Sequence, residues 1–154
     1  MSVPKSVVKF KGTNVEYTSN VDFACYTIVE LSRAAMRDVG KFITRTANSK
    51  AMKLKGLKKS RRVRGATSTF RYKVPWAKTG LPHLEVGVTH STWYGEEQEL
   101  GSSKQPKRAI LRNSAHDNIA KIVEIESKYL SALEDEARAL AMISEGEYEG
   151  GADD

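Results

Sequence analysis

The chain has 154 residues, of which 40% are hydrophobic and 29% are charged, and its formal net charge is +6. These totals are typical of a single globular domain. No apolar run approaches the roughly 20 residues that cross a bilayer, and residues 1–5 show no signal-peptide core, so we expect assembly in the cytoplasm. Cys25 is the only cysteine, which excludes an intramolecular disulfide, and its apolar neighbours predict burial.

The first half of the chain predicts a hairpin followed by a helix. Short apolar runs within residues 2–18 flank Gly12-Thr13-Asn14, which is a turn signal. From about 20 to 48, apolar residues recur at helical spacing, whereas Glu30 and Arg33 belong to the expected solvated face. The apolar stripe consists of Val21, Cys25, Ile28, Leu31, Ala35, Val39 and Phe42.

A basic arm is predicted at about 49–67, because residues 50–73 contain ten Lys and Arg and no acid. Two alternating segments, around 70–74 and 84–88, then predict antiparallel strands. A long helix is predicted over roughly 107–143, with a bend near Asn113 and Pro106 at its start. The last ten residues contain five acids and no base, which predicts an acidic flexible tail at 145–154.

The predicted fold class is therefore α+β. A small antiparallel sheet packs against a long N-terminal helix and a long C-terminal helix, because both apolar stripes need a partner. We expect one domain over residues 1–144, followed by the tail.

No catalytic constellation is recognisable, so we expect a protein that is not an enzyme and uses no cofactor, no metal and no small-molecule substrate. His83, His90 and His116 lack a metal-ligand spacing, and each is expected to be a surface or partly buried histidine. The acids around Glu97 are equally well explained as a solvated turn. There is no glycine-rich phosphate loop and no nucleophile elbow.

The basic arm has two interpretations, which the sequence leaves open. It can bind nucleic acid without sequence specificity, or it can dock on an acidic protein surface, including that of a neighbouring copy. Its cations are Lys53, Lys55, Lys58, Lys59, Arg61, Arg62 and Arg64.

The segment 94–112 carries the most specific pattern in the chain. It reads Tyr94-Gly95, then Glu99-x-Gly101-Ser102, then Lys104-Gln105-Pro106-x-Arg108, then Leu111-Arg112-x-x-Ala115. This pattern resembles the lambdoid family of phage tail-completion and head–tail joining proteins. In that family an aromatic-Gly pair ends a strand, a Glu-x-Gly turn follows, and a Pro-containing basic stretch begins the C-terminal helix. Ala109-Ile110 departs from the family's usual Pro-Phe.

The resemblance implies a non-enzymatic structural subunit of a bacteriophage neck or tail, which joins tail to head as part of a ring around the DNA channel. It implies a homo-oligomer, with a hexamer favoured, and neighbours such as connector, terminator and tube proteins. It also implies a place in the virion. A tail terminator and a small non-specific nucleic-acid-binding protein are the alternatives. The implied subunit or partner contacts are Glu99, Gly101, Ser102, Lys104, Arg108 and Arg112.

Elementary chemistry predicts how this segment is built. Glu99 before Gly101 indicates a turn in which the carboxylate accepts backbone N–H bonds and the glycine adopts a positive φ. Arg108 and Arg112, four residues apart, would then share a helical face and meet either Glu99 or a neighbouring subunit. The sequence does not decide between these two partners.

Overall fold

A computed structural model of the protein describes residues 7–11, 16–53, 69–75, 81–89, 93–104 and 106–150. The α+β class is confirmed. Over the described ranges the elements in chain order are β1 (Val7–Lys11), β2 (Glu16–Ser19), α1 (Val21–Met52), β3 (Phe70–Lys73), β4 (Glu85–Val88), α2 (Trp93–Leu100), α3 (Ile110–His116), α4 (Ile119–Ala132) and α5 (Glu136–Gly150).

The N-terminal hairpin is confirmed by the antiparallel pairing of β1 with β2. Val7 lies opposite Ser19 and Lys11 lies opposite Glu16, with an irregularity between Val8 and Phe10. The predicted turn residues 12–14 lie outside the described residues.

Helix α1 is the central element of the fold. It begins after Asn20, as predicted, and runs for 32 residues to Met52, four residues beyond the predicted end. Its buried apolar side chains Leu31, Ala35, Val39, Ile43 and Ala47 recur every four residues, which makes one continuous face. Helices α3, α4 and α5 and strand β3 pack against it.

The first third of α1 differs from the prediction. Val21 and Ile28 are 60% and 51% exposed, and Cys25 is exposed rather than buried. Conversely Glu30 and Arg33, expected in solvent, are buried and form a 3.4 Å ion pair. The buried face of the helix is thus rotated away from the apolar stripe here, because α4 and α5 pack against it and enclose the flanking polar side chains.

The predicted second hairpin is confirmed as β3 and β4, paired with Phe70 opposite Val88 and Lys73 opposite Glu85. Phe70 is fully buried between α1 and α3, whereas Lys73 and Glu85 are exposed, as their alternation predicts. Asn48 of α1 anchors this sheet. Its amide donates to the Phe70 carbonyl and accepts from the Phe70 N–H, each over 3.1 Å.

The predicted single C-terminal helix is instead three helices, α3, α4 and α5. The first break follows His116, where the Asn118 side-chain amide donates to the Ser114 carbonyl over 2.9 Å. At the second break, the Asp135 carboxylate accepts the N–H groups of Ala137 and Arg138 at 3.0 and 3.3 Å and so caps α5. These local polar bonds compete with helix continuation and let α5 fold back on α1.

Helix α5 packs on the central helix through Ala139 and Ile143, which contact Leu31. It continues to Gly150, so residues 145–150 of the expected flexible tail are helical, and residues 151–154 lie outside the described residues. None of the helices in the described ranges has the length and apolar character needed to span a membrane.

Candidate interaction site at the Glu99 turn and the basic end of helix α1

The segment that opens the motif is helical. Tyr94 and Gly95 lie in α2, so the prediction that they end a strand is wrong. Glu96 in the first turn favours the helix, because its negative charge lies near the positive end of the helix dipole. Helix α2 ends where the Gly101 N–H donates to the Glu97 carbonyl over 2.8 Å.

Gly101 has a φ of +83°, which confirms the predicted left-handed turn. A Cβ atom at this position would lie 2.9 Å from the Lys107 backbone nitrogen, so both conformation and space require glycine. Directly after it, the Ser102 hydroxyl accepts the Lys104 N–H over 3.3 Å. Ser102 and Lys104 are both exposed. The turn therefore presents polar groups to solvent while it reverses the chain toward α3.

The Glu99 carboxylate caps helix α3 from the preceding helix. It accepts the backbone N–H groups of Leu111 and Arg112 over 2.8 and 3.0 Å. These are the second and third residues of α3, the positions that an N-cap side chain normally satisfies. The cap residue itself is Ala109, which has no polar side chain and a φ of +47°. The prediction that Glu99 accepts backbone N–H bonds is confirmed.

One part of the prediction for Arg108 and Arg112 is wrong, namely that the two side chains share a helical face. Arg108 lies before the start of α3, so Arg108 and Arg112 do not share a helical face. Glu99 meets the backbone of Arg112, and the Arg112 side chain is exposed. The Glu99 hydrogen bonds join α2 to α3 within one chain, and the Arg112 side chain is left exposed to solvent.

Arg108 instead lies at the C-terminal end of α1, where it helps to line an open cavity of about 330 Å³. The Lys50 ammonium pairs there with the Asp117 carboxylate over 2.9 Å. The cavity is lined by Lys50, Lys53, Arg108, Ile110, Asn113 and Asp117. We call Lys50, Lys53 and Arg108 the basic cluster.

The basic cluster brings together residues from two segments that are far apart in the sequence. Lys53 belongs to the predicted basic arm and Arg108 to the motif. No local signal links them, because the contact depends on α3 packing against α1. The remaining cations of the arm lie outside the described residues, namely Lys55, Lys58, Lys59, Arg61, Arg62 and Arg64.

Arg108 carries an unsatisfied group. Its Nη1 atom is buried and has no hydrogen-bond partner among the described residues. A buried donor without a partner costs about 1–3 kcal/mol, and more when it is charged. In addition, the sequence has no Asp or Glu between Asp38 and Glu85. Three cations, of which one is neutralised by Asp117, thus make this end of the molecule electropositive.

A second surface is an apolar groove of about 230 Å³ between α1 and α4. Its rim is exposed: Ile28 is 51%, Leu130 66% and Leu133 43% accessible. The groove is lined by Ile28, Leu31, Ser32, Ala35, Met36, Glu126, Tyr129, Leu130 and Leu133. Leu133 lies four residues after Tyr129 in the apolar stripe that the predicted long C-terminal helix was expected to bury. The missed signal is the alternating four- and three-residue spacing of Ile119, Val123, Glu126, Leu130 and Leu133.

Tyr129 at the groove connects α4 to α1, because its hydroxyl donates a hydrogen bond to the Asp38 carboxylate. Burial of the ring raises the pKa of the Tyr129 phenol well above its usual value, and the bond to Asp38 raises that pKa further. Tyr129 therefore remains a neutral donor throughout the physiological pH range.

The histidines occupy ordinary positions. His83 is exposed and lies 3.2 Å from Glu85, and His116 is exposed, as expected. His90 lies outside the described residues. Over the part of the chain that the structure describes, no three His, Cys, Asp or Glu side chains come together as a metal site.

Comparison of this chain with known protein families, with curated proteins and with solved structures finds no match.

Proposed function

We propose that this protein is a non-enzymatic structural subunit of a bacteriophage neck or tail, which completes the tail and joins it to the head within a symmetric ring. The observation that carries the proposal is the Glu99–Gly101 turn. The turn lies within the specific part of the resemblance, residues 94–112, and both features predicted for it are present: a carboxylate that accepts backbone N–H bonds and a glycine at positive φ.

The apolar groove supports self-association. Ile28, Leu130 and Leu133 together expose a contiguous apolar rim next to a groove, and such patches mark interaction surfaces. The basic cluster supplies a polar contact of a different kind at the other end of α1. Two chemically distinct surfaces on one chain suit a ring subunit, which must bind its neighbours and a further component at once.

Electron microscopy tests the proposal at two levels. The purified chain is expected to form rings with a central channel, and a phage genome that lacks the gene is expected to yield filled heads with unjoined tails. Leu130→Lys places a charge at the rim of the groove and should abolish the rings. Leu81→Lys is the matched control, because Leu81 is 86% exposed and lies away from the groove.

Joined, infectious particles assembled without the chain would overturn the proposed function. Rings that survive Leu130→Lys would overturn only the role of the groove. The same micrographs separate the neck subunit from a tail terminator, since loss of a terminator leaves tails of uncontrolled length.

A small non-specific nucleic-acid-binding protein is the second candidate, and the basic cluster is the observation that favours it. Its signature is tight, salt-sensitive DNA binding by a monomer together with normal particle assembly in its absence.

A further inference from the structure

We propose that the basic cluster of Lys50, Lys53 and Arg108 is a binding site for the phosphate groups of a nucleic acid backbone. The inference rests on the proposed function for its biological partner, the DNA that passes through a neck. The three cations of the site itself all lie within the described residues.

The cavity has the charge and the polar lining that suit an anion. Three cations converge on it from two elements far apart in sequence, and the Asn113 side-chain amide lies on its wall. The Asn113 amide donates to the Arg108 carbonyl over 3.4 Å, which fixes the segment before α3. Asp117 already contributes a carboxylate to the cavity, where it pairs with Lys50 over 2.9 Å.

The Asp117 carboxylate leaves an excess of positive charge at the cavity. Asp117 neutralises Lys50, and no other acid lines the cavity among the described residues, so the charges of Lys53 and Arg108 are not balanced by these residues. One guanidinium nitrogen of Arg108 is buried without a partner among the described residues, which raises the cost of holding this charge at the site. A bound anion at the open side of the cavity offsets that cost by direct attraction.

The sequence around the basic cluster favours the phosphates of a nucleic acid over an acidic protein surface. Lys50 and Lys53 belong to a stretch of sequence that contains no acid from residue 39 to residue 84. An extended polyanion can neutralise such a stretch repeatedly, because duplex DNA carries a charge about every 1.7 Å of its axis. An arginine beside lysines also suits phosphate oxygens, which accept several donors from different directions.

The experiment measures binding of a short labelled DNA duplex by fluorescence anisotropy at about 50 mM and about 200 mM salt. The double variant Lys53→Gln with Arg108→Gln keeps the Lys50–Asp117 bond and removes two charges from the site. We expect this variant to bind DNA at least about tenfold more weakly. The slope of its affinity against salt concentration should correspond to about two fewer phosphate contacts.

The matched control removes two charges elsewhere. Lys121→Gln with Lys128→Gln changes the net charge equally, but both lysines pair with Glu124 on exposed α4. We expect less than about a threefold effect from this variant. Equal losses in the two double variants would overturn the site, because only the total charge would then matter.

Asp117→Asn guards against misfolding as an explanation. It removes the competing carboxylate and releases Lys50, so DNA binding should tighten by about two- to threefold with a steeper salt dependence. Unchanged or weaker binding by this variant, with its helical circular dichroism intact, would also overturn the proposal.

Competitors identify the anion. Unlabelled DNA should displace the probe, whereas inorganic phosphate and polyglutamate at equal charge should not. Stronger competition by polyglutamate would assign the site to an acidic protein surface instead and refute the inference. If DNA binding fails while rings and joined particles form normally, the proposed function stands and the phosphate site does not.

Discussion

The Glu99 carboxylate replaces a helix cap that α3 lacks, so Glu99→Gln should destabilise the protein. Glutamine is nearly the same size, but it has one acceptor oxygen where the carboxylate has two. One of the two N–H groups, those of Leu111 and Arg112, must then face an amide NH2 or water. Losing a capping hydrogen bond lowers stability by about 0.5–2 kcal/mol, and the loss lies toward the upper end of this range when the acceptor is charged. We therefore expect a loss of about 1–2 kcal/mol.

Thermal unfolding followed by circular dichroism measures this loss. For a chain of this size, each kcal/mol lowers Tm by about 2–4 °C, which predicts a decrease of about 2–8 °C. Glu96→Gln is the matched control, because Glu96 is an exposed acid on the same helix. A Tm for Glu99→Gln within about 1 °C of this control would refute the idea that Glu99 acts as the cap.

Three further predictions concern backbone conformation and the α1–α4 contact. Gly101→Ala should lower the free energy of unfolding, measured in urea, by about 1–3 kcal/mol, because residue 101 has a positive φ and the new Cβ would crowd the Lys107 backbone. An unchanged free energy of unfolding would contradict the turn geometry. Ala109→Gly should instead stabilise by about 0.5 kcal/mol, since glycine tolerates the φ of +47° that strains alanine, and a loss of stability would show that no strain is relieved. Tyr129→Phe should cost about 1 kcal/mol at neutral pH by removing the bond to Asp38. Because folding raises the pKa of Tyr129, the stability that this side chain contributes is complete below its unfolded-state pKa of about 10 and declines as the pH rises further. In an alkaline titration the wild type should therefore lose this stability, whereas Tyr129→Phe should not.

Features with a local cause were predictable from the sequence. The apolar period of α1 and the alternation of β3 and β4 follow from side-chain geometry within a few residues. The positive φ of Gly101 was also predictable, because glycine is the residue that most readily adopts this conformation in a turn. For Glu99 the chemistry was predicted correctly, as a carboxylate that binds backbone N–H groups.

Features that depend on tertiary contacts were not predictable. The breaks at Asn118 and Asp135 carry only weak helix-ending signals, and what decides them is the return of α5 onto α1. The burial of Glu30 and the exposure of Ile28 likewise depend on which side of α1 the later helices cover. The meeting of Lys53 with Arg108 depends on packing between segments more than fifty residues apart.

The length of α1 separates the two surfaces of the molecule electrically. The apolar groove is centred near Ser32 and the basic cluster begins at Lys50, which corresponds to about 27 Å along the helix axis. The Debye length at physiological ionic strength is about 8 Å, so charges bound at one end are screened at the other. Salt should therefore release an anion from the basic end without loosening apolar contacts at the groove, which makes ionic strength a means of separating the two events in one preparation.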